Sequence, residues 1–355
     1  MYLAKTIIFA CFLLLFYPSS CKKNDPPTKP PFATPDTTSH DFTWQIDFLG
    51  DGNASRLNDV CIVDENNVWA VGRICVKDSI GEFINPPFNL AHWNGDKWEL
   101  MSIKFQYYYG LIYTDAKCIY AFDPENIVIS SGGSVMHWDG NSWKGFPYLF
   151  NLSSSIGNIY SIWGNSIDDF YGVGLEGSIV HYNGSSWQKI ESGTNQPIND
   201  IWGSYNQKTQ DYKIFCVASD KYHGGEKKVF QIINNETVEF DWSPQRAAHS
   251  VWFQQDTPLF VCGSGLFMYD TNHWSQIESL PNIFKNRIRG NHQYDIFIAG
   301  DFGLMVHYNG NSWYIYEDLT LPNGNYESLI IKGDLVIAVG WQEDKAVICR
   351  GIRKN

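Results

Sequence analysis

The sequence predicts an all-β fold, a seven-bladed β-propeller of four-stranded blades. Three observations carry that prediction. The phrase H-[WY]-[ND]-G-x-x-W returns four times, at 92–98, 137–143, 181–187 and 307–313. Its closing tryptophans, Trp98, Trp143, Trp187 and Trp313, are spaced by 45, 44 and 126 residues, the last being three times 42. The aromatic share of 16%, with 14 Trp and 20 Tyr, is the residue usage of sheets.

The unit is read most clearly over 157–192. There "NIYSIWG", "DDFYGVG", "SIVHYNG" and "SWQKIES" are four short apolar strands, and Asn183-Gly184 marks a tight turn between the third and fourth. Asn94-Gly95, Asp139-Gly140 and Asn309-Gly310 occupy the same place in other units, and "QIINNETVEF" and "MYDTNHW" are degenerate copies in the gap between Trp187 and Trp313. A period of 40 to 50 residues with four strands per unit is the mark of a propeller. Units start near Leu57, Asp115, Gly157, Pro197, Arg246, Lys285 and Tyr326. The last holds only three strands, and "FTWQIDFLG" at 42–50 is an unassigned fourth. Pairing that N-terminal strand with the C-terminal three closes the ring and removes exposed sheet edges.

Outside the repeat the chain divides into short segments. Residues 1–20 carry Lys5 and an apolar run from Ile7 to Tyr17, too short for a permanent span and suited to a signal peptide. "YPSSC" resembles the lipobox of bacterial lipoproteins, with Pro18 where Leu is usual; the resemblance implies cleavage before Cys21 and lipidation of Cys21. Residues 21–40 hold five Pro among polar residues and form a lipid-anchored tether, leaving 41–355 for the propeller. The expected address is the cell envelope, at the outer membrane, with membrane contact through the lipid only.

The motif strings "IWG…DDFYGVGLEGSIVHYNGSSW" and "IFIAGDFGLMVHYNGNSW" resemble bacterial secreted propeller lipoproteins related to the BNR (bacterial neuraminidase repeat) and YCF48-type propellers. The resemblance covers nearly all of 41–355 and implies the fold. It does not carry sialidase chemistry with it, because the S-x-D-x-G-x-T-W Asp-box is replaced here by H-[WY]-[ND]-G-x-x-W.

Several classes of function are disfavoured. A net charge of -12 opposes phosphate-backbone binding, so no nucleic acid is expected. Cys61, Cys118, Cys216, Cys262 and Cys349 lie in apolar runs and read as buried strand residues, with Cys61–Cys75 the one pairing kept open. "GVGLEG" at 172–177 matches a dinucleotide fingerprint literally, but a strand follows where a helix is needed, so it reads as a turn between second and third strands. His92, His137, His181 and His307 recur at one place in four blades and point to hydrogen bonding inside each blade; the repeated Trp point to packing between blades. No metal and no cofactor are expected, and the seven Arg form no carboxylate-binding pattern. A monomer is expected.

A ligand site has to break the repeat. Loops between second and third strands, and between blades, emerge on one face, and the insertions 73–90, 104–117, 147–158 and 220–228 fall there. The insertion 204–212 belongs to the opposite face. The first three belong to adjacent blades and are rich in aromatics, giving Phe83, Phe88, Tyr107, Tyr108, Tyr109, Tyr113, Tyr148 and Phe150; Tyr222 stands on the fourth. Aromatics on loops of a rigid scaffold suit a glycan or a protein partner, and equally suit packing the loops down. The reading is a non-catalytic binding lipoprotein. The alternatives are a glycoside hydrolase or polysaccharide lyase using Asp78, Glu82, Asp115 or Glu226, and an assembly scaffold for envelope proteins.

Overall fold

Near-continuous apolar runs on central strands, such as Leu259–Gly263 and Leu335–Gln342, leave a sheet with two faces to bury, and a ring of radially stacked sheets buries both. The computed structural model describes residues 37–146, 149, 156–206, 208, 210–255 and 257–354. They form seven four-stranded antiparallel sheets and one two-stranded hairpin. The innermost strands, blades 1 to 7 in order, are Arg56–Asp64, Cys118–Asp123, Ile159–Ser166, Ile198–Asn206, Ala248–Trp252, Lys285–His292 and Gly324–Lys332. Each lies within three residues of the unit start read from sequence.

Ring closure takes the expected route. Phe42–Leu49 pairs antiparallel along its whole length with Lys345–Arg353, from Phe42 opposite Arg353 to Leu49 opposite Ala346. The apolar core is accordingly divided into seven clusters, one in each space between neighbouring blades. Trp98, Trp143, Trp187 and Trp313 each pack into one of these. The six cysteines among the described residues are buried free thiols. The Cys61–Cys75 pairing is not made: Cys61 packs between blades 1 and 2, whereas Cys75 Sγ donates to the Asn53 carbonyl oxygen.

The repeated turn is wider than the Asn-Gly reading implied. Trp93 pairs with Trp98, Trp138 with Trp143, Tyr182 with Trp187 and Tyr308 with Trp313, leaving four residues in each loop. The Asn or Asp side chain closes the loop by accepting two backbone N–H groups, as Asn183 does from Ser185 and Ser186. The glycine then takes a left-handed φ, +86° at Gly184. The motif's second and last letters are therefore a cross-strand aromatic pair, with centroids 5.0 Å apart for Tyr182 and Trp187. "GVGLEG" is the predicted turn, a single 3-10 turn over Leu175–Gly177 between the second and third strands of blade 3.

Each repeated histidine bonds inside its own blade, as expected. His92 Nε2 lies 3.0 Å from Asn67, His137 2.9 Å from Asn126, His181 2.7 Å from Asp169 and His307 2.9 Å from Asp295.

A charged brace crosses the axis, and the sequence reading did not find it. Asp200 of blade 4 is fully buried; it accepts from Ser161 of blade 3 at 2.9 Å and from Ser250 of blade 5 at 2.5 Å. Arg287 and Arg289 of blade 6 donate to the same carboxylate at 2.6 and 2.8 Å. Arg287 also donates to Ser328 of blade 7, which donates to Asp59 of blade 1, which accepts the backbone N–H of Ile119 in blade 2. All seven blades are joined through two acids, two arginines and three serines. Burial pushes the Asp200 carboxyl upward, but Arg289 and Arg287 outweigh it and hold the group well below the ordinary carboxylate range.

Candidate functional site

Above this brace, on the insertion-rich face, the innermost strands begin around an open mouth of about 440 Å³. Its floor is tied down. Asn58, Asn199 and Asn286 donate across to the neighbouring blade, to the carbonyl oxygens of Ala116, Ala248 and Tyr326. Its rim carries Arg56, Lys117, Tyr160, Glu327, Trp341 and Tyr222. A second cavity of about 360 Å³ shares Arg56, Tyr222, Glu327 and Trp341 and extends the mouth outward.

The rim is cationic on one side. Glu327 is engaged by the Trp341 indole N–H at 2.8 Å. Arg56 and Lys117 make no ion pair among the described residues. Burial lowers the Lys117 ammonium, Asp115 opposes that and Arg56 adds to it; both cations line the mouth. His249, beneath, is held neutral: burial first, then Lys221 and Arg287, lower it to about 3. Lys221 fixes the loop that overhangs the mouth. Its Nζ donates to Asn286 and Asp301 of blade 6 at 2.9 and 2.8 Å and lies 4.4 Å from the Phe284 ring centroid. A loop of blade 4 thus bridges to blade 6 and presents Tyr222, 79% exposed, over the opening.

The structure places the other candidate aromatics in two groups. Phe88 lies on the third strand of blade 1 against the apolar cluster between blades 7 and 1. Tyr107 packs inward and donates to the Ser131 carbonyl oxygen at 2.7 Å, and the Tyr113 hydroxyl is buried. Tyr108 and Tyr109 stand at the tip of the hairpin Phe105–Tyr107 and Gly110–Ile112, 75% and 90% exposed, with ring centroids 5.0 Å apart. Phe83 is exposed beneath the Lys77 ammonium, at 5.3 Å. Tyr148, Phe150 and Cys21 lie outside the described residues. Among the described residues, a ring contact joins Tyr108 to Tyr109 and none joins that pair to Phe83 or Tyr222.

Three of the four candidate acids are separately occupied, and Glu82 is exposed. Asp78 accepts the backbone N–H groups of Ile80 and Glu82, Asp115 pairs with Arg73 at 3.4 Å, and Glu226 accepts from Thr194 at 2.9 Å. Among the described residues no cluster of His, Cys, Asp or Glu is arranged to hold a metal ion, and no helix is long and apolar enough to cross a membrane.

No protein-family model and no curated protein matches the chain. Solved structures do. The structure described as YCF48 bound to D1 peptide is 14% identical, with 90% of this chain and 100% of that one aligned at a TM-score of 0.64. YCF48 from Cyanidioschyzon merolae is 13% identical over 86% and 98%, with a TM-score of 0.59. The WD40 β-propeller domain of Doa1 is 14% identical over 89% and 98%, with a TM-score of 0.62. At such identities the likeness is one of architecture: this chain is a seven-bladed β-propeller, built like the YCF48 and WD40 propellers.

Proposed function

We propose that this chain is a non-catalytic binding scaffold that takes a segment of a partner protein at the axial mouth of its insertion-rich face. The observation that carries the reading is Arg56 and Lys117, without ion-pair partners among the described residues, lining a mouth overhung by exposed Tyr222 in a chain of net charge -12. An exposed guanidinium and a half-buried ammonium beside an exposed aromatic are what a peptide with acidic groups and apolar side chains needs. The likeness to a YCF48 propeller described with a bound peptide supports a polypeptide ligand. Tyr108, Tyr109 and Phe83 extend the contact surface. Cys21 is the lipidated residue in this reading, with 21–40 as the tether that holds the propeller off the outer membrane.

The test uses the tagged full chain, cross-linked in envelope extracts, beside the variant Arg56→Glu/Lys117→Glu. A partner captured by the wild type and lost from the double variant supports the reading. An unchanged capture profile contradicts it. Saturable polysaccharide binding, followed by Trp fluorescence and lost in Tyr108→Ala/Tyr109→Ala, moves the ligand to a glycan.

A further inference from the structure

Blades 3 and 6 repeat one Asp–His arrangement and differ in what completes it. In blade 6, Asp295 opens the second strand, His307 lies on the third, and Phe297 stacks on His307 at 4.3 Å and 11°. In blade 3, Asp169 and His181 hold the same positions, and Tyr171 stacks on His181 at 4.2 Å and 9°.

Thr38, His40 and Arg353 complete blade 6. His40 Nδ1 lies 2.8 Å from His307 Nδ1, and Thr38 Oγ1 lies 3.4 Å from the Asp295 carboxylate. Arg353 donates to both Asp295 oxygens at 2.7 Å. With His307 Nε2–H directed at Asp295, its Nδ1 is the acceptor and His40 the donor.

Blade 3 has the same acceptors without those donors. His181 is only 8% exposed, and its Nδ1 is buried with no hydrogen-bond partner among the described residues. The Asp169 side chain remains 45% exposed, and its one described ion-pair contact is His181. Both line a cleft of about 470 Å³ between blades 3 and 4, on the face opposite the axial mouth. Trp163, Tyr171 and Tyr212 wall it, and Asn165 and Asn235 add amides. Tyr212 belongs to the extended hairpin of blade 4 and is held by a 2.5 Å bond to Asn165. This gives a role to the insertion 204–212, which stood apart from the rest in the sequence.

We propose that the cleft between blades 3 and 4 docks an extended partner segment carrying a basic side chain, as blade 6 takes residues 38–40 and Arg353. A peptide N–H or side-chain donor satisfies the buried His181 Nδ1. An Arg or Lys head pairs with Asp169, and its stem lies along the aromatic walls. The proposal is independent of the axial mouth.

The probe is a fluorescein-labelled, end-capped pentapeptide, Thr-Ser-His-Arg-Phe, which joins the donors of 38–40 to a guanidinium. Its anisotropy is followed on titration with the full chain. Saturable binding is expected, weakened about tenfold or more by Asp169→Asn, the loss of one charge-assisted contact. Blades 1 and 2 use Asn67 and Asn126 at this position, so the variant retains its fold. The 15N resonance of His181 Nδ1 is expected to shift at saturation. Four results each overturn the proposal: no binding to the wild type at millimolar protein, equal affinity for Asp169→Asn, equal affinity for the peptide with Glu in place of Arg, or an unmoved His181 resonance. Loss of binding in Arg56→Glu reassigns the peptide to the axial mouth and overturns it as well.

Discussion

Replacing Asp200 with Ala tests what holds the ring together. The carboxylate is fully buried and takes Ser161, Ser250, the Val251 N–H, Arg287 and both terminal nitrogens of Arg289. Arg287 keeps a second acid, Asp59, at 3.6 Å. Arg289 has no other carboxylate among its described contacts, although the Trp202 ring lies 4.6 Å from its guanidinium. Removing one member of a buried pair leaves an uncompensated charge and costs about 3–5 kcal/mol. A domain holds about 5–15 kcal/mol in all, so the variant loses a large fraction of its stability. Chemical denaturation followed by Trp fluorescence measures this. The double variant Asp200→Ala/Arg289→Met removes both charges and recovers part of the loss, because the two residues are directly coupled. A loss under about 1 kcal/mol, or a double variant at the sum of the single ones, would refute the brace as a coupled unit.

Three further outcomes are expected. His40 is lowered to about 4 by burial first, then by His307 and Arg353. Its contribution is complete above about 6.5 and is lost as pH falls toward 4, because the unfolded chain binds the proton that the fold excludes; protease cleavage after 37–41, measured across that window, should rise in acid and lose its pH dependence in His40→Gln. Gly184→Ala places a side chain at φ +86° with Asp168 Cβ 3.2 Å away, and should cost about 1–2 kcal/mol in denaturation. Tyr108→Ala/Tyr109→Ala removes two exposed rings and should leave the thermal midpoint within the effect of about 0.5 kcal/mol while altering ligand affinity.

The blade repeat was legible in sequence because its signals are local. The pair Tyr182–Trp187, the Asn183 loop and the Asp169–His181 bond all fall within 19 residues, and each recurs in other blades. Ring closure was legible for a different reason: the last unit lacked a strand and the N-terminus had one unassigned. The brace escaped because its partners are far apart, with 87 residues between Arg287 and Asp200 and 269 between Ser328 and Asp59. The available signal was "RIR" at 287–289, two charges alternating on an innermost strand. The site was legible only in part. An aromatic on an insertion points to solvent or inward according to contacts its neighbours in sequence do not reveal. Hence Tyr107 bonds the Ser131 carbonyl oxygen while Tyr108 and Tyr109 stand free of the core. Arg56 and Lys117 lie in different blades and meet only at the axis.

The most direct test of the binding reading is site-specific photocross-linking in living cells. A photoreactive residue replaces Tyr222 over the axial mouth, or Val238, also exposed, on the outer strand Glu236–Phe240 of blade 4. A discrete protein adduct is expected at position 222, lost when Arg56→Glu/Lys117→Glu is added, and none at 238. Equal labelling at both positions, or an adduct at 238 alone, would contradict it.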